Sequence, residues 1–541
     1  MVAVRTAIDS EENRSACMIN KYQLLAITFF LGFSLSGYAF ECEVSSFEPL
    51  AADSRYGVTI TSAEFVDETG GYCRVEGVIA NDDGRSQIKF RLRFPDVATW
   101  NGRFLVSGNG GTAGSFQSEN RVQVALELGY ATGQTDTGHS APDRFGLEDW
   151  LMKELESGVI VPNYVAIDNF AYQSIHLTTV VGKQFVDAFY AREPEYSYYL
   201  GCSTGGRQGL KAMQRYPNDF DGIVAGAPVF SLTRLNMSQV WTAQRVAELD
   251  AAGESLVPEQ LDLIKRSSVG MCDALDGVTD RIIDDPLKCA FDPAMLQCSV
   301  SESSPQCLTD RQVQFVRSIY HGPVTAAGER IYPGRARGSE GSSPGGMGGW
   351  MDLLPSPTCR FCDLVSRAWY QDPDRNMLEE FSIDNFEDVA AADSSYYSGV
   401  TRADNPDVTP FVQSGGKAIL YHGLSDPGVT PVTTIEIYEA MEDTVSRKRG
   451  ESDFREHLRL FLAPGMGHCG GGDGPNDYLR PALEAIDAWV SEDTAPDSIV
   501  VSHSQRGLSR PWCPYPQVAR PREPNLDSND AANFQCVNPP E

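Results

Sequence analysis

Residues Gly201-Cys202-Ser203-Thr204-Gly205 spell Gly-x-Ser-x-Gly between an apolar run, SYYL, and a helix-spaced run, RQGLKAMQRYP. Glycines on either side of a serine let a strand turn into a helix too sharply for larger side chains, which leaves the hydroxyl exposed beside the first N–H groups of the helix. That layout suits attack on an acyl carbon, with the oxyanion resting on backbone donors. The pentapeptide alone is a weak sign in a chain of 49 glycines; the strand before it and the helix after it favour a nucleophile over a plain turn.

A serine hydroxyl is nearly inert at its ordinary pKa, so it needs a base within reach and an acid that holds the base in one tautomer. Seven histidines are present. In the chain order serine, acid, histidine, His139 and His176 come too early. His422 sits at a strand end, where packing or capping is expected of it. His457, in FREHLRL, and His503, in an irregular tail, read as surface residues. His468 stands out, in the loop PGMGHCGGG directly after an apolar strand. Asp426, in HGLSDPG, also follows an apolar strand and so lies on the same sheet edge, although a turn aspartate is the plainer alternative. The oxyanion hole pairs the Thr204 N–H with a glycine of SGNGGTAG, either Gly110 or Gly111. Cys202 directly precedes Ser203 and Cys469 directly follows His468; the symmetry suggests a bridge that keeps nucleophile and base in register.

These residues need a scaffold, and the text supplies one. IKFRLRFPDVATWNGRFLVS reads as strands feeding the glycine turn, FAYQSIHLTTVVGKQFVDAFY as a helix over 170–190, SYYL as a strand, then a helix again. Such alternation argues an α/β fold with a parallel sheet and helices on both faces. After GIVAGAPVF the regularity breaks into a stretch rich in cysteine, aspartate, glycine and proline, and resumes with GGKAILYHG, a helix from about Thr433 to Met441, LRLFLAPG and YLRPALEAIDAWV. The catalytic core is therefore expected at 40–229 and 406–541, split by a lid-like insertion at 230–405.

In KYQLLAITFFLGFSLSGYAFE, one lysine precedes an apolar run from Leu24 to about Leu35, followed by the small residues Gly37 and Ala39. This reads as a secretory signal cut after Ala39, with residues 1–39 removed. The run is short of the roughly 20 residues that cross a bilayer, so a membrane anchor is disfavoured. Asp9, Glu11 and Glu12 suit no signal sequence and point to translation starting at Met18. Of 13 cysteines, Cys17 precedes the cut, and the even remainder reads as the disulfide set of a secreted or periplasmic protein. Cys272 with Cys289, Cys298 with Cys307 and Cys513 with Cys536 are spaced as local staples; Cys42 and Cys73 belong to the oxidised set. Cys359 and Cys362, in CRFC, lack a strand-to-helix context and read as structural or free thiols rather than a redox pair.

The 44 lysines and arginines against 74 aspartates and glutamates give a net charge of −30, with no basic cluster to hold a phosphate backbone; nucleic acid is an unsuitable partner. In CDALDGVTDRIID, Asp273, Asp276 and Asp280 fall close together around Gly277. Calcium takes roughly six to eight oxygen ligands, which these carboxylates, the carbonyls of Val278 and Ile282 and water would supply. A solvated acidic loop is an equal alternative.

Taken together, WNGRFLVSGNGGTAGS, ATGQTDTGHS, GCSTGGRQGL, RYPNDFDGIVAGAP, YHGLSDPGVTP, GMGHCGGG and RPWCPYPQVAR resemble the tannase and feruloyl esterase family over most of the chain. The resemblance implies an α/β-hydrolase core, Ser203, Asp426 and His468 as a catalytic triad, a disulfide between the neighbouring cysteines, structural calcium at Asp273, Asp276, Val278, Asp280 and Ile282, no organic cofactor, and a lid that selects the substrate. The chain departs from it in GNGG, where some members have four glycines, and in CRFC. The expected function is a secreted serine carboxylesterase acting on a small aromatic acid ester, of feruloyl, hydroxycinnamoyl or galloyl type, through an acyl-enzyme. The alternatives are a terephthalate monoester hydrolase, a serine peptidase, and a non-catalytic calcium-binding secreted protein.

Overall fold

The computed structural model describes residues 41–80, 86–141, 149–299, 304–341, 349–352, 359, 362–450, 454–524 and 526–539. The signal segment 1–39 and the start at Met18 fall outside the described residues. Residues Glu41–Glu541 make up one compact unit.

Its centre is a nine-stranded sheet of β1 (Gly57–Val66), β2 (Tyr72–Ala80), β3 (Ile88–Pro95), β4 (Arg103–Ser107), β5 (Ala131–Thr135), β6 (Tyr196–Cys202), β7 (Gly222–Gly226), β8 (Lys417–Gly423) and β9 (Leu458–Ala463), laid side by side as β1-β2-β3-β5-β4-β6-β7-β8-β9. From β5 and β4 through β9 every neighbouring pair is parallel. The expected parallel sheet is thus a mixed one, because β1, β2, β3 and β5 pair antiparallel. The burial pattern gives the reason. Phe90, Leu92 and Phe94 are buried while Lys89 is exposed, the alternation of a strand with one wet face, whereas β7 is buried throughout, as a strand covered on both sides must be.

Helices cover the two faces. Tyr198 and Leu200 point to the side of α1 (Glu119–Glu127) and α8 (Leu479–Glu492), where Leu483, Ile486 and Trp489 meet them. Tyr199, one residue out of phase, points to the opposite side. That side carries α2 (Ser174–Tyr190), α3 (Thr204–Arg215) and α7 (Pro431–Arg449). The helix expected over 170–190 begins earlier, at Tyr164–Asp168, and passes through a wide turn at Asn169–Gln173 before α2. Arg207 of α3 reaches this turn. It donates to the carbonyls of Phe170 (3.0 Å) and Ala171 (3.0 Å), and also to that of Thr401 (3.4 Å). Burial pushes its guanidinium pKa down to about 10.

Between β7 and β8 the chain leaves the sheet and builds the insertion from α4 (Leu232–Ala251), α5 (Pro258–Cys272), α6 (Asp310–His321) and shorter helices ending with Tyr396–Thr401. Leu261, Ile264, Val316, Ile319 and Trp350 form one apolar cluster. A second, with Met237, Trp369, Phe381 and Tyr397, takes in Trp150 and Phe170 of the core and so seats the insertion on it. Trp350 and Trp369 are buried in these clusters, and the Tyr370 hydroxyl donates to Asp388 at 3.1 Å.

Among the described residues six disulfides join Cys42–Cys73, Cys202–Cys469, Cys272–Cys289, Cys298–Cys307, Cys359–Cys362 and Cys513–Cys536. The Cys359–Cys362 bridge closes the CRFC segment, so these are not free thiols. No described helix is long and apolar enough to cross a membrane.

Candidate active site

Ser203 stands between β6 and α3 with φ 64° and ψ −121°, a left-handed conformation that a serine adopts only when its surroundings hold it there. They do. The Ser203 N–H donates to the Gly226 carbonyl of β7 at 2.9 Å, and its own carbonyl accepts the Arg207 N–H at 3.0 Å. A Cβ on Gly201 would come within 2.6 Å of the Tyr199 hydroxyl, and one on Gly205 within 2.8 Å of the Asn109 carbonyl. Glycine at both positions is therefore a packing requirement.

The loop after β4 lies against the start of α3. Thr204 Oγ1 donates to the Gly111 carbonyl at 2.5 Å, and Gln208 Oε1 accepts the Asn109 N–H at 3.0 Å. The Gly110 N–H is taken by Gln117 Oε1 at 2.8 Å. Among the described residues the N–H groups of Thr204 and Gly111 meet no acceptor. Of the two glycines left open by the motif, Gly111 is the one whose donor is unengaged.

Asp426 follows β8 and His468 follows β9, as neighbouring parallel strands would place them. Their side chains meet: His468 Nδ1 is 2.5 Å from Asp426 Oδ2. His468 retains some solvent contact while Asp426 has none. Asp426 Oδ1 accepts the N–H groups of Gly428 (2.8 Å) and Val429 (2.9 Å). Burial alone would raise the Asp426 pKa. The charge of His468 and the hydrogen bonds from His422 and His468 outweigh it and hold the carboxyl well below the usual range. The Cys202–Cys469 bridge, with Cα atoms 5.9 Å apart, fastens the residue before Ser203 to the residue after His468.

His422 is more than a strand-end packing residue. Wholly buried, it places Nε2 2.8 Å from the Val429 carbonyl and 3.2 Å from Asp426 Oδ2, and Nδ1 2.7 Å from Thr434 Oγ1. A carbonyl at 2.8 Å requires the proton on Nε2, which the Val429 carbonyl shares with Asp426 Oδ2, the oxygen that His468 also bonds. The only hint in the sequence was its place four residues ahead of Asp426. The other demoted histidines are structural: His139 stacks on Trp150, His176 pairs with Asp219, and His457 and His503 bond the carbonyls of Gly416 and Gly472. His503, expected at the surface, is buried.

The acidic loop of the insertion folds on itself. The Asp273 carboxylate accepts the N–H groups of Asp280 and Arg281, Asp276 that of Val278, and Asp280 that of Ile282. Arg510 pairs with Asp280 at 2.5 Å. Burial, followed by the nearby Asp284 and Asp280 charges, pushes Asp276 up to about 6 even though the Val278 N–H opposes it. The donors are all oxygen, as a hard cation prefers, but among the described residues no three acidic side chains converge as a ready metal cluster.

A serine on the elbow after β6, tied by the Cys202–Cys469 bridge to an aspartate–histidine pair on the loops after β8 and β9 of the same parallel sheet, defines the α/β-hydrolase class. Residues 73–537 match the family described as Tannase and feruloyl esterase, and the chain belongs to that family. It is 34% identical over 542 aligned residues to mono(2-hydroxyethyl) terephthalate hydrolase of Piscinibacter sakaiensis, covering 87% of this chain and 85% of that protein. It is 32% identical to a probable feruloyl esterase B-2 of Aspergillus terreus, covering 86% of each. Among solved structures, feruloyl esterase B from Aspergillus oryzae superposes with a TM-score of 0.79 at 27% identity over 92% of this chain and 100% of that one. The chain is a carboxylic ester hydrolase.

Proposed function

We propose that the protein cleaves esters of aromatic acids, of feruloyl, hydroxycinnamoyl or galloyl type, through an acyl-enzyme on Ser203. The observation that carries this is the Asp426–His468 hydrogen bond on a loop bridged covalently to the residue before Ser203. With Nδ1 occupied by Asp426, Nε2 of His468 is the nitrogen left for the Ser203 hydroxyl. It takes the serine proton as Oγ attacks the ester carbon, and returns it to the departing alcohol; water then repeats the cycle on the acyl-enzyme. Asp426, held ionised, fixes the tautomer and offsets the imidazolium charge. The oxyanion rests on the N–H groups of Thr204 and Gly111; Gly110 could serve only by leaving Gln117.

The names of the relatives favour an aromatic acyl group, and the 34% identical hydrolase makes terephthalate monoesters the alternative substrate. The insertion acts as the lid over this site, with Asp273, Asp276, Asp280 and the carbonyls of Val278 and Ile282 holding a structural calcium. Six disulfides suit a secreted or periplasmic protein. A fluorophosphonate probe should label Ser203 in the folded wild type and not in Ser203→Ala, and turnover on methyl ferulate, methyl gallate, chlorogenate and a terephthalate monoester should rank the acids. A folded protein that resists labelling and hydrolyses none of them refutes the proposal.

A further inference from the structure

His468 sits at the tip of a loop that closes on itself. The Gly465 carbonyl accepts the N–H groups of Asp473 (2.9 Å) and Gly474 (3.0 Å), and the Gly471 carbonyl accepts that of Gly467 (3.0 Å). The limb that enters the loop is well supported: it continues β9, and the Met466 carbonyl takes the Ser425 N–H at 3.0 Å, beside Asp426. The limb that leaves is Gly470, Gly471 and Gly472, all at positive φ (139°, 66° and 98°). Consecutive glycines have no side chains to anchor and many backbone conformations open to them. Whatever holds this limb must reach it from outside.

Side chains from two directions do so where the glycines end. His503 Nε2 lies 3.2 Å from the Gly472 carbonyl, and Arg506 Nη1 donates to the Asp473 carbonyl. Both belong to the C-terminal hairpin of Ile499–His503 and Leu508–Trp512, whose Ser502 carbonyl also accepts the N–H groups of Asn476 and Asp477. From the insertion, Lys265 Nζ of α5 comes to 2.8 Å from Asp473 Oδ2. Arg506 reaches the insertion as well, because its Nη2 donates to the Asp280 carbonyl at 2.9 Å. One guanidinium thus spans the foot of the His468 loop and the acidic loop of the insertion. A planar fork holds two acceptors at a fixed separation, which an ammonium on a flexible stem does not. The two loops also meet through apolar atoms: a Cβ on Gly465 would come within 3.0 Å of Ile282 Cγ2.

We propose that Arg506, together with Lys265, positions His468: by clamping Asp473 they fix the glycine limb and keep the imidazole in register with Ser203, so that the insertion contributes to catalysis through the foot of the histidine loop. The inference rests on the esterase function proposed above and adds two positioning residues to its machinery. Neither touches the reacting atoms; both act through the backbone that carries the base.

Arg506→Met, assayed on the best ester of the panel above at one fixed calcium concentration, should lower kcat about 10-fold with KM within about twofold, part of the roughly 100-fold that displacing a base by about 1 Å costs. Asp426, the Tyr478 hydroxyl and the Cys202 bridge still hold the tip and spare the rest. In the same variant, amide hydrogen exchange should speed up across 466–474. Arg506→Lys should recover part of both effects, and Lys265→Met, which leaves the C-terminal hairpin intact, should shift both in the same direction. Arg520→Met is the control: Arg520 joins the C-terminal segment to the insertion through Asp284 at 2.6 Å rather than through the histidine loop. It should melt lower than wild type yet keep kcat within about twofold, as expected for a site not coupled to the base. A folded Arg506→Met with wild-type kcat or unchanged exchange at 466–474 would overturn the proposal, and so would an Arg520→Met that loses as much kcat as Arg506→Met, because the effect would then be stability alone. Should Arg506→Met not fold, Lys265→Met and Arg506→Lys carry the same comparison against Arg520→Met. A wild type that hydrolyses none of the esters sinks the esterase function alone; the exchange rates at 466–474 then decide whether Arg506 holds the loop.

Discussion

Cutting the Cys202–Cys469 bridge, by Cys202→Ala with Cys469→Ala, should separate stability from catalysis. The bridge spans 267 residues. In the chain-entropy description a loop of that length restricts the unfolded ensemble by about 5.6 kcal/mol. The bridges at Cys272–Cys289, Cys298–Cys307 and Cys359–Cys362 lie inside the loop and shorten it by spans of 17, 9 and 3 residues. Because the dependence is logarithmic, they lower the figure by only about 0.1 kcal/mol. Urea unfolding followed by tryptophan fluorescence should therefore show a loss of about 5 kcal/mol. The catalytic effect is distinct. Cys469, at φ 60°, precedes a run of three glycines; Asp426 and the Tyr478 hydroxyl hold this loop from its own side, and the sulfur link is its covalent tie to the residue before Ser203. Misplacement of a reacting group by about 1 Å costs on the order of 100-fold in rate. The double variant, assayed in the absence of denaturant where it is still folded, should show kcat reduced by about that factor with KM nearly unchanged. A folded double variant that keeps wild-type kcat would refute the positional role, whatever its stability.

His422→Leu should lower kcat about 10-fold by removing one donor from Asp426, and His422→Gln, which keeps an N–H, should recover part of it; steady-state kinetics showing full activity in a folded leucine variant would refute that support. A calcium chelator should lower the melting temperature, with added calcium restoring it, and saturation at about 100 times the dissociation constant contributes about 2.7 kcal/mol; Asp276→Asn should abolish the response, and no shift in wild type would eliminate the calcium site. His139 is held neutral by burial, with its pKa pushed down to about 4. The unfolded chain takes up this proton near pH 6.5 and the folded one only near pH 4, so stability should fall as pH drops through that window, by up to about 3 kcal/mol. Denaturant titrations of His139→Gln should lack this component; an identical pH slope would exclude it.

What the amino-acid text discloses here is local geometry. The elbow around Ser203 and the loops of Asp426 and His468 are legible because each depends on a short strand–turn pattern with glycine where side chains cannot fit. The antiparallel β1–β3 edge was hidden: alternation in IKFRLRF fixes a strand, not the direction of its neighbour. His422 was misjudged because its partners Thr434, Val429 and Asp426 converge only once α7 and the loop after β8 are packed. Gly110 and Gly111 are equivalent on paper, and the side chain of Gln117 distinguishes them. Arg506 carries no motif at all; its two carbonyl partners meet only once the C-terminal hairpin, the His468 loop and the acidic loop of the insertion are packed together.

Arg207 ties the helix that begins at the serine to the carbonyl of Thr401, at the far end of the insertion. Swapping that insertion for one from another member of the family would remove an acceptor from a cation sunk in the core, so a hybrid joined cleanly at 227 and 416 would still be faulty beneath α3. Chimeras that keep Tyr396–Thr401 native retain the latch, and the exchangeable piece is correspondingly smaller than the sheet boundaries suggest.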